Sequence, residues 1–308
     1  MRRSLATGAL VAVVLLGASG CAPAGSGLCA TPASSPTVEN PEARPIAFTS
    51  DRAGSFDLWL MAADGSDPVR LTRDDEAEGL PTWSPSGAQL AFMAAADLES
   101  KGDICVINAD GTGLRNLTST ADRYETTPVW SPDGERIAYG VWEDTSNKIF
   151  TMTSDGQDKR LLTDNGNWPS WSPDGERIVY STPRGSDTGQ DLWVMNRDGS
   201  DRKLLAEDST EMTEPSWSPD GLTIAFVMSR TREDIYVMPA EGGPHRRLTT
   251  LPGHDHWPPS WSPDGTQIAF TADGVDRVGE IAVVDLDTLA TTNLTNHAAN
   301  DAFPAWRR

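Results

Sequence analysis

One stretch, repeated along the chain, limits the possible folds more than any other feature. Its clearest copy is residues 259–270, which read PSWSPDGTQIAF. The central Ser-Pro-Asp-Gly is typical of a tight turn, because proline presets φ, aspartate bonds the local backbone and glycine accepts left-handed geometry. The flanking PSW and QIAF segments are therefore predicted to form two short strands.

Close copies of this stretch recur at a regular spacing. Their tryptophans lie 47, 41, 46 and 44 residues apart, at Trp83, Trp130, Trp171, Trp217 and Trp261. Each second strand is followed by a third, such as Asp234–Met238, and by a fourth that mostly ends in Leu-Thr. A four-stranded unit repeating at this period indicates the blade of a β-propeller.

The two ends of the chain determine the predicted number of blades. The first unit begins at Arg44 with a second strand, Pro45–Phe48, and the chain ends with a spare first strand, Pro304–Trp306. Counting second strands gives six blades. The predicted fold is thus all-β, a six-bladed propeller of four-stranded blades over residues 44–308. Its C-terminal strand completes blade one, and closure removes exposed sheet edges.

Two segments precede the repeats. Residues 1–20 predict a signal peptide, because Arg2 and Arg3 precede an apolar run too short to span a bilayer permanently. The following Cys21 ends an Ala-Ser-Gly-Cys sequence that resembles the bacterial lipobox, which implies lipid modification; ordinary cleavage is the alternative. Residues 21–43, rich in Ala, Pro, Ser and Gly, predict a flexible tether.

The other two cysteines suggest no zinc site or disulfide scaffold. Cys105 lies in the apolar run Ile104–Ile107 and is predicted to be a buried core thiol. Cys29 is left open as a free thiol or an intermolecular link. The net charge of −20 argues against nucleic acid or anionic lipid as the main partner. Cationic ligands, metal ions and basic protein surfaces remain compatible with it.

The repeats resemble those of TolB-type propellers. Trp217–Gly221, Ile224–Phe226 and Asp234–Met238 match the pattern of that family almost letter for letter, and the resemblance covers residues 44–308. It implies a fold rather than a function, because the matching residues are turn and packing residues. Oligogalacturonate lyases are similar in their repeats but use metal-binding histidines.

The resemblance implies that the PxW strand is innermost, so that the loop entering it opens at one mouth of the central tunnel. Glu78, Glu125, His256 and Asp301 occupy the same place in four repeats. We expect a polar, mostly acidic ring that binds a cation, a basic peptide or a stacked sugar. The alternative is that these side chains only bond neighbouring loops. The candidate ligand-binding residues are Glu78, Tyr124, Glu125, Asn167, Trp168, Glu211, Asp255, His256, Trp257 and Asp301.

Catalytic signals are weak in this sequence. No G-x-S-x-G motif is present, and no cysteine is paired with a suitable histidine. His254 and His256 could hold a divalent cation, but two histidines are fewer ligands than a catalytic zinc site normally has. Otherwise no cofactor is expected.

These features together predict an exported, lipid-anchored protein of the cell envelope. Its expected role is non-catalytic: a monomeric platform whose tunnel mouth binds an envelope protein or a small ligand such as a peptide, glycan or cation. Nucleic acid is not an expected partner, and the membrane is contacted through the lipid only. The alternatives are a lyase or hydrolase acting on polysaccharide, and an accessory or sensory subunit of an envelope complex.

Overall fold

A computed structural model describes residues 28–29, 37–96, 100–120, 123–143, 146–184, 189–208, 210–230, 232–250, 257–273 and 278–308. These residues form six antiparallel sheets of four strands each, preceded by one short 3-10 helix, Pro41–Ala43. The prediction of an all-β, six-bladed propeller is confirmed. Within these ranges no helix has the length and apolar character needed to cross a membrane.

Each blade is a meander whose strands follow one another from the tunnel outward. Blades one and two contain β24 (Asp301–Trp306), β1 (Ile46–Ser50), β2 (Asp57–Met61) and β3 (Val69–Arg70), then β4 (Ala77–Trp83), β5 (Gln89–Ala95), β6 (Asp103–Asn108) and β7 (Arg115–Asn116). Blades three and four contain β8 (Tyr124–Trp130), β9 (Arg136–Glu143), β10 (Ser146–Thr153) and β11 (Arg160–Thr163), then β12 (Asn167–Trp171), β13 (Arg177–Pro183), β14 (Gln190–Asn196) and β15 (Lys203–Ala206). Blades five and six contain β16 (Glu211–Trp217), β17 (Thr223–Ser229), β18 (Glu233–Pro239) and β19 (Arg246–Arg247), then β20 (Trp257–Trp261), β21 (Gln267–Asp273), β22 (Gly279–Asp285) and β23 (Thr291–Asn293).

The second strand of every blade is buried on both faces, because blades pack against each other face to face. Three consecutive apolar residues in each of these strands have at most 2% of their surface exposed. This explains why the sequence shows an Ile-Ala-Phe type of run rather than an alternation of apolar and polar residues. The aromatic members of these runs are Phe48, Phe92, Tyr139, Tyr180, Phe226 and Phe270.

The Ser-Pro-Asp-Gly segments form the tight turns that the sequence predicts. In blade six the Ser262 hydroxyl donates to Asp264 Oδ1 at 2.7 Å, and the Gly265 amide donates to the Ser262 carbonyl at 2.9 Å. Gly265 has a φ of 72°, a left-handed conformation that a side chain would strain. The motif is therefore a folding device that fixes the angle between the first and second strands.

The C-terminal strand closes the ring as predicted. β24 pairs antiparallel with β1, with Trp306 opposite Ile46 and Asp301 opposite Ser50. The same strand bonds blade six, since the Phe303 amide donates to Thr271 Oγ1 at 2.9 Å. It also bonds blade two, because Trp83 Nε1 donates to the Ala305 carbonyl at 3.1 Å. One terminal strand thus joins three blades.

A disulfide joins Cys29 to Cys105, at a sequence separation of 76 residues. The prediction that Cys105 is a free buried thiol is therefore wrong, as are both alternatives offered for Cys29. A sequence with three cysteines does not show which two form a disulfide, because β6 and the N-terminal segment come together only in the folded protein.

Parts of the predicted tether lie against the propeller instead of extending freely. Cys29 and Val38 are each 5% exposed and pack with Leu58 and Phe92 between blades one and two. The Val38 amide donates to the Asp110 carbonyl at 2.8 Å. The described residues of this segment therefore differ from the flexible tether predicted over residues 21–43.

We expect the disulfide to stabilise the propeller, because it restricts the unfolded chain across a long loop. Replacing both cysteines, as Cys29→Ala with Cys105→Ala, should lower the free energy of unfolding by about 2–4 kcal/mol. Chemical denaturation with and without reductant measures this. The reduced natural protein should lose a similar amount, and an unchanged midpoint in both cases would contradict the assignment.

Candidate functional site

The innermost strands share a bulge immediately before the PxW proline. Leu80, Thr127, Trp168, Glu214 and Phe303 have φ values of 47–55°, in the left-handed region that few non-glycine residues adopt. The pairing with the second strand shifts register at each of these positions. Such a bulge changes the direction of a side chain. As a result, these five residues line a central cavity.

Three of the bulge residues close the tunnel across its axis. Trp168 of blade four packs with Phe303 of blade one and Leu80 of blade two, and each is less than 10% exposed. We call Trp168, Phe303 and Leu80 the apolar plug. Trp142 packs against the plug, and Tyr124 stacks on Trp142 with ring centroids 5.5 Å apart. The plug separates the loop end of the tunnel from the end that carries the Ser-Pro-Asp-Gly turns.

The cavity lies on the turn side of the plug and has a volume of about 430 Å³. Its wall is mostly rigid and apolar, because the PxW prolines of all blades line it together with tryptophans. Turn prolines complete the lining, three from Ser-Pro-Asp-Gly turns and one from the Ser-Pro-Ser-Gly turn of blade two, so the cavity opens at the turn end. The inner-strand prolines are Pro81, Pro128, Pro169, Pro215, Pro259 and Pro304.

Charged groups surround and enter this cavity. Asp174, Asp220 and Asp264 lie in the turns at its end, and hydrogen bonds from the neighbouring serine hydroxyls lower the pKa of each carboxyl. These groups are therefore charged at neutral pH. Inside, the wall includes Glu214 and the guanidinium of Arg308, whose NH2 donates to the Trp217 carbonyl at 2.9 Å.

The predicted acidic ring points away from this cavity. Glu78 and Glu125 are 3% and 1% exposed, and Asp301 is fully buried. The Leu58 amide of blade one donates to Glu78 Oε2 at 3.2 Å, and the Thr72 hydroxyl donates to the same oxygen. The Glu125 carboxyl interacts with Thr118 of blade two, the preceding blade. These two carboxyls thus join adjacent blades.

Asp301 forms an ion pair with Arg52. Arg52 NH2 lies 2.6 Å from Asp301 Oδ2, while the same guanidinium stacks 4.9 Å from the ring of Trp59. This ion pair ties the closing strand β24 to the loop after β1. The structure therefore gives the three ring carboxyls contacts that join adjacent blades or the closing strand to its neighbour.

The remaining candidates are dispersed. Asn167 is 3% exposed at the start of β12, and Glu211 Oε1 accepts a hydrogen bond from Gln190 Nε2 at 2.9 Å. Trp168 lines the cavity as part of the plug. Tyr124 stacks on Trp142, on the side of the plug that faces away from the cavity. His254, Asp255 and His256 lie outside the described residues, as do Cys21 and the side chain of Trp257. The metal site and the lyase alternative that depends on it stay predictions.

The comparisons with known proteins agree with the fold. The profile of the TolB beta propeller domain matches residues 23–219, more than half of the chain. The chain belongs to the TolB β-propeller family. A second profile, the Tricorn protease N-terminal beta propeller domain, matches residues 187–302.

Two curated relatives are similar over shorter stretches, and one solved structure is similar over most of the chain. Tol-Pal system protein TolB of a Polaromonas species is 32% identical over 72 residues, which are 23% of this chain and 16% of the relative. The same protein of Anaeromyxobacter dehalogenans is 44% identical over 46 residues, 15% and 11% of the two chains. The crystal structure of TolB from Acinetobacter baumannii superposes with a TM-score of 0.73 at 18% identity, covering 85% of this chain and 66% of that one. The chain thus spans less than two thirds of each of these proteins.

Of the cavity residues of this family member, the sequence predicted Trp168 as a ligand-binding residue and missed Leu80, Phe303 and Arg308. The plug residues precede the PxW proline, a position occupied by Leu, Thr, Trp, Glu, Pro and Phe in the six repeats. No shared residue type marks it, so only the bulge shows that these side chains face inward. Pro258, the sixth, cannot adopt a positive φ. Arg308 stands two residues after the PxW tryptophan, where the other five repeats have the proline of the turn.

A second group of carboxyls lies between blades one and two, beside the disulfide. The Cys29 amide donates to both carboxylate oxygens of Glu76 at 3.0 Å. Burial raises the pKa of Glu76 from 4.5 to about 7, and it raises the pKa of Asp57 from 3.8 to about 7. The folded protein therefore binds these protons more tightly than the unfolded chain does.

This difference predicts a pH dependence of stability. Between about pH 4 and pH 7 the folded state holds protons that the unfolded chain releases, so stability should fall as pH rises. In Glu76→Gln the decline should be shallower, because one such proton is removed. Thermal unfolding at half-unit pH steps measures the slope. Asp75→Asn, at the exposed neighbour, is the control and should keep the natural slope; equal slopes for both variants would contradict the account.

Proposed function

We propose that this protein is a non-catalytic, exported binding protein of the bacterial cell envelope, anchored by lipid at Cys21, and that it binds a protein partner through the central cavity. The observation that carries the proposal is the composition of the cavity wall. It consists mainly of prolines, tryptophans, serines and other uncharged residues contributed by all six blades, and its two charged members among the described residues are Glu214 and Arg308.

The wall suits recognition better than chemistry. Its volume of about 430 Å³ lies in the range of ligand sites, and aromatic and proline residues form the rigid, apolar centre typical of binding hot spots. Among the described residues that line it, none is a histidine, cysteine, lysine or aspartate. The described lining therefore offers no histidine or lysine base and no cysteine nucleophile, which favours binding.

The charge around the cavity favours a partner with basic residues. The chain carries a net charge of −20, and the aspartates of the turns at the cavity end are ionised. Such a rim accelerates association with a basic surface and repels an acidic one. The two curated relatives are named as proteins of the Tol-Pal system. Membership of a multi-protein system supports a protein partner for this chain as well.

The disulfide restricts the proposed lipid anchor. If Cys21 carries the lipid, only residues 22–28 separate it from the covalent attachment at Cys29. That segment extends over at most about 28 Å. Cys29 lies beside Glu76, in the loop entering β4, at the end of the propeller opposite the Ser-Pro-Asp-Gly turns. The anchor would therefore hold the loop end near the membrane and leave the cavity opening facing outward.

Filling the cavity should abolish partner binding. Ser216→Trp and Thr82→Trp each place an indole in the lining, from blades five and two respectively. We expect either variant to reduce crosslinking to the partner in intact cells at least tenfold, because the inserted ring occupies the binding volume. Mass spectrometry of crosslinked material from the natural protein identifies the partner.

Leu222→Trp is the matched control, since Leu222 lies in a turn of blade five, is 70% exposed and does not line the cavity. It should crosslink like the natural protein. Circular dichroism and thermal melts confirm that each variant is folded. If both cavity variants fold as well as the control and crosslink as strongly as the natural protein, the proposed site is refuted.

Lipid attachment is tested separately through Cys21. Cys21→Ala should abolish incorporation of radiolabelled palmitate and move the protein from the membrane pellet to the supernatant, because the thioether that carries the lipid can no longer form. Cys29→Ala should retain the label. Equal labelling of the natural protein and Cys21→Ala would remove the anchor from the proposal.

A further inference from the structure

We infer that the central cavity selects a carboxylate, which the Arg308 guanidinium binds while the apolar wall holds the residues beside it. This inference rests on the proposed function, because it names the chemistry of the group that the cavity receives. Its ligand class is a peptide segment with a carboxylate and an apolar flank.

The position of Arg308 is the first observation. Arg308 lines the cavity, and its NH2 group donates to the main-chain carbonyl of Trp217, 2.9 Å away. This bond fixes one edge of the guanidinium against blade five. A guanidinium has five N–H donors arranged in a planar fork, and two of them on one edge match the two oxygens of a carboxylate.

The surroundings of the guanidinium are the second observation. Arg308 as a whole residue is exposed, but desolvation lowers the pKa of its guanidinium. The cavity that it lines consists mostly of prolines and tryptophans, with Glu214 as the one carboxylate side chain among the lining residues that the structure describes. Across the described chain, no carboxylate side chain forms an ion pair with it. The attraction between an incoming anion and a cation is stronger when the cation lies in apolar surroundings without a counterion than when it is exposed to water.

Other arginines at the same end of the propeller are already engaged. Arg177 pairs with Glu241 at 2.9 Å and stacks over the ring of Trp217 at 5.0 Å. Arg307 lies 5.4 Å over the ring of Trp83 and does not line the cavity. Arg308 is thus the cation whose place within the lining suits it to a ligand.

The charges at the cavity opening determine which residues of the peptide should precede the carboxylate. The ionised aspartates at the opening repel an anion, so a carboxylate enters best when basic residues precede it and remain at the rim. Apolar residues next to the carboxylate would contact the proline wall. A chain terminus and an aspartate or glutamate side chain both supply this chemistry, and probes of each kind distinguish them.

The test uses three synthetic probes and the full chain. The first is acetyl-Arg-Lys-Gly-Pro-Phe-Leu with a free carboxylate, the second is its C-terminal amide, and the third is acetyl-Arg-Lys-Gly-Pro-Glu-Leu amide. Isothermal titration calorimetry measures each affinity for the natural protein, Arg308→Gln and Arg307→Gln. Arg307→Gln is the matched control, because it removes the same charge from the adjacent position outside the lining.

We expect at least one carboxylate probe to bind at least tenfold more tightly than the neutral amide. Arg308→Gln should eliminate that difference, and Arg307→Gln should preserve it. Preference for the first probe assigns a chain terminus, and preference for the third assigns a side chain. Equal binding of all probes, no binding of any, or discrimination that survives Arg308→Gln would overturn the inference.

The cavity-filling variants separate this inference from the proposed function. If Ser216→Trp abolishes partner crosslinking while Arg308→Gln leaves crosslinking and probe selectivity intact, the cavity binds a partner without recognising a carboxylate. If neither cavity-filling variant affects crosslinking, the proposed function itself fails.

Discussion

The pairing of β24 with β1 is the interaction on which the rest of this molecule depends. It connects the last strand of the chain to the first, with Trp306 opposite Ile46, although 260 positions of sequence separate them. The closing strand also bonds Thr271 of blade six and Trp83 of blade two. A repeat array without this junction would expose two sheet edges and have no enclosed centre.

The cavity follows from closure together with the bulges. Six inner strands converge on one axis, and at each bulge a left-handed residue or Pro258 directs its side chain toward it. Trp168, Phe303 and Leu80 then meet across the tunnel and divide it. The site is therefore not an addition to the scaffold: the residues that close the ring and block the tunnel are also those that shape the binding volume.

Much of the fold was predictable from the sequence, because turn residues and buried runs recur with the blade period. The blade number and the closing strand followed from the unmatched Pro45–Phe48 and Pro304–Trp306 segments. The site was less predictable. A bulge changes which side of an inner strand faces the tunnel, so that Glu78 and Asp301 bond within the protein while Trp168 lines the cavity. The Cys29–Cys105 pairing is likewise a product of tertiary structure, as no local pattern joins positions so far apart.

Hydrogen exchange on a chain that ends at Asn300 tests most directly whether closure creates the cavity. The account predicts that amides of β1 lose protection together with those of inner strands β8, β12 and β16, because the open ring no longer holds the plug and the cavity wall in place. Loss of protection confined to β1, with the inner strands of blades three to five as protected as in the full chain, would show that the blades hold the cavity without the closing strand.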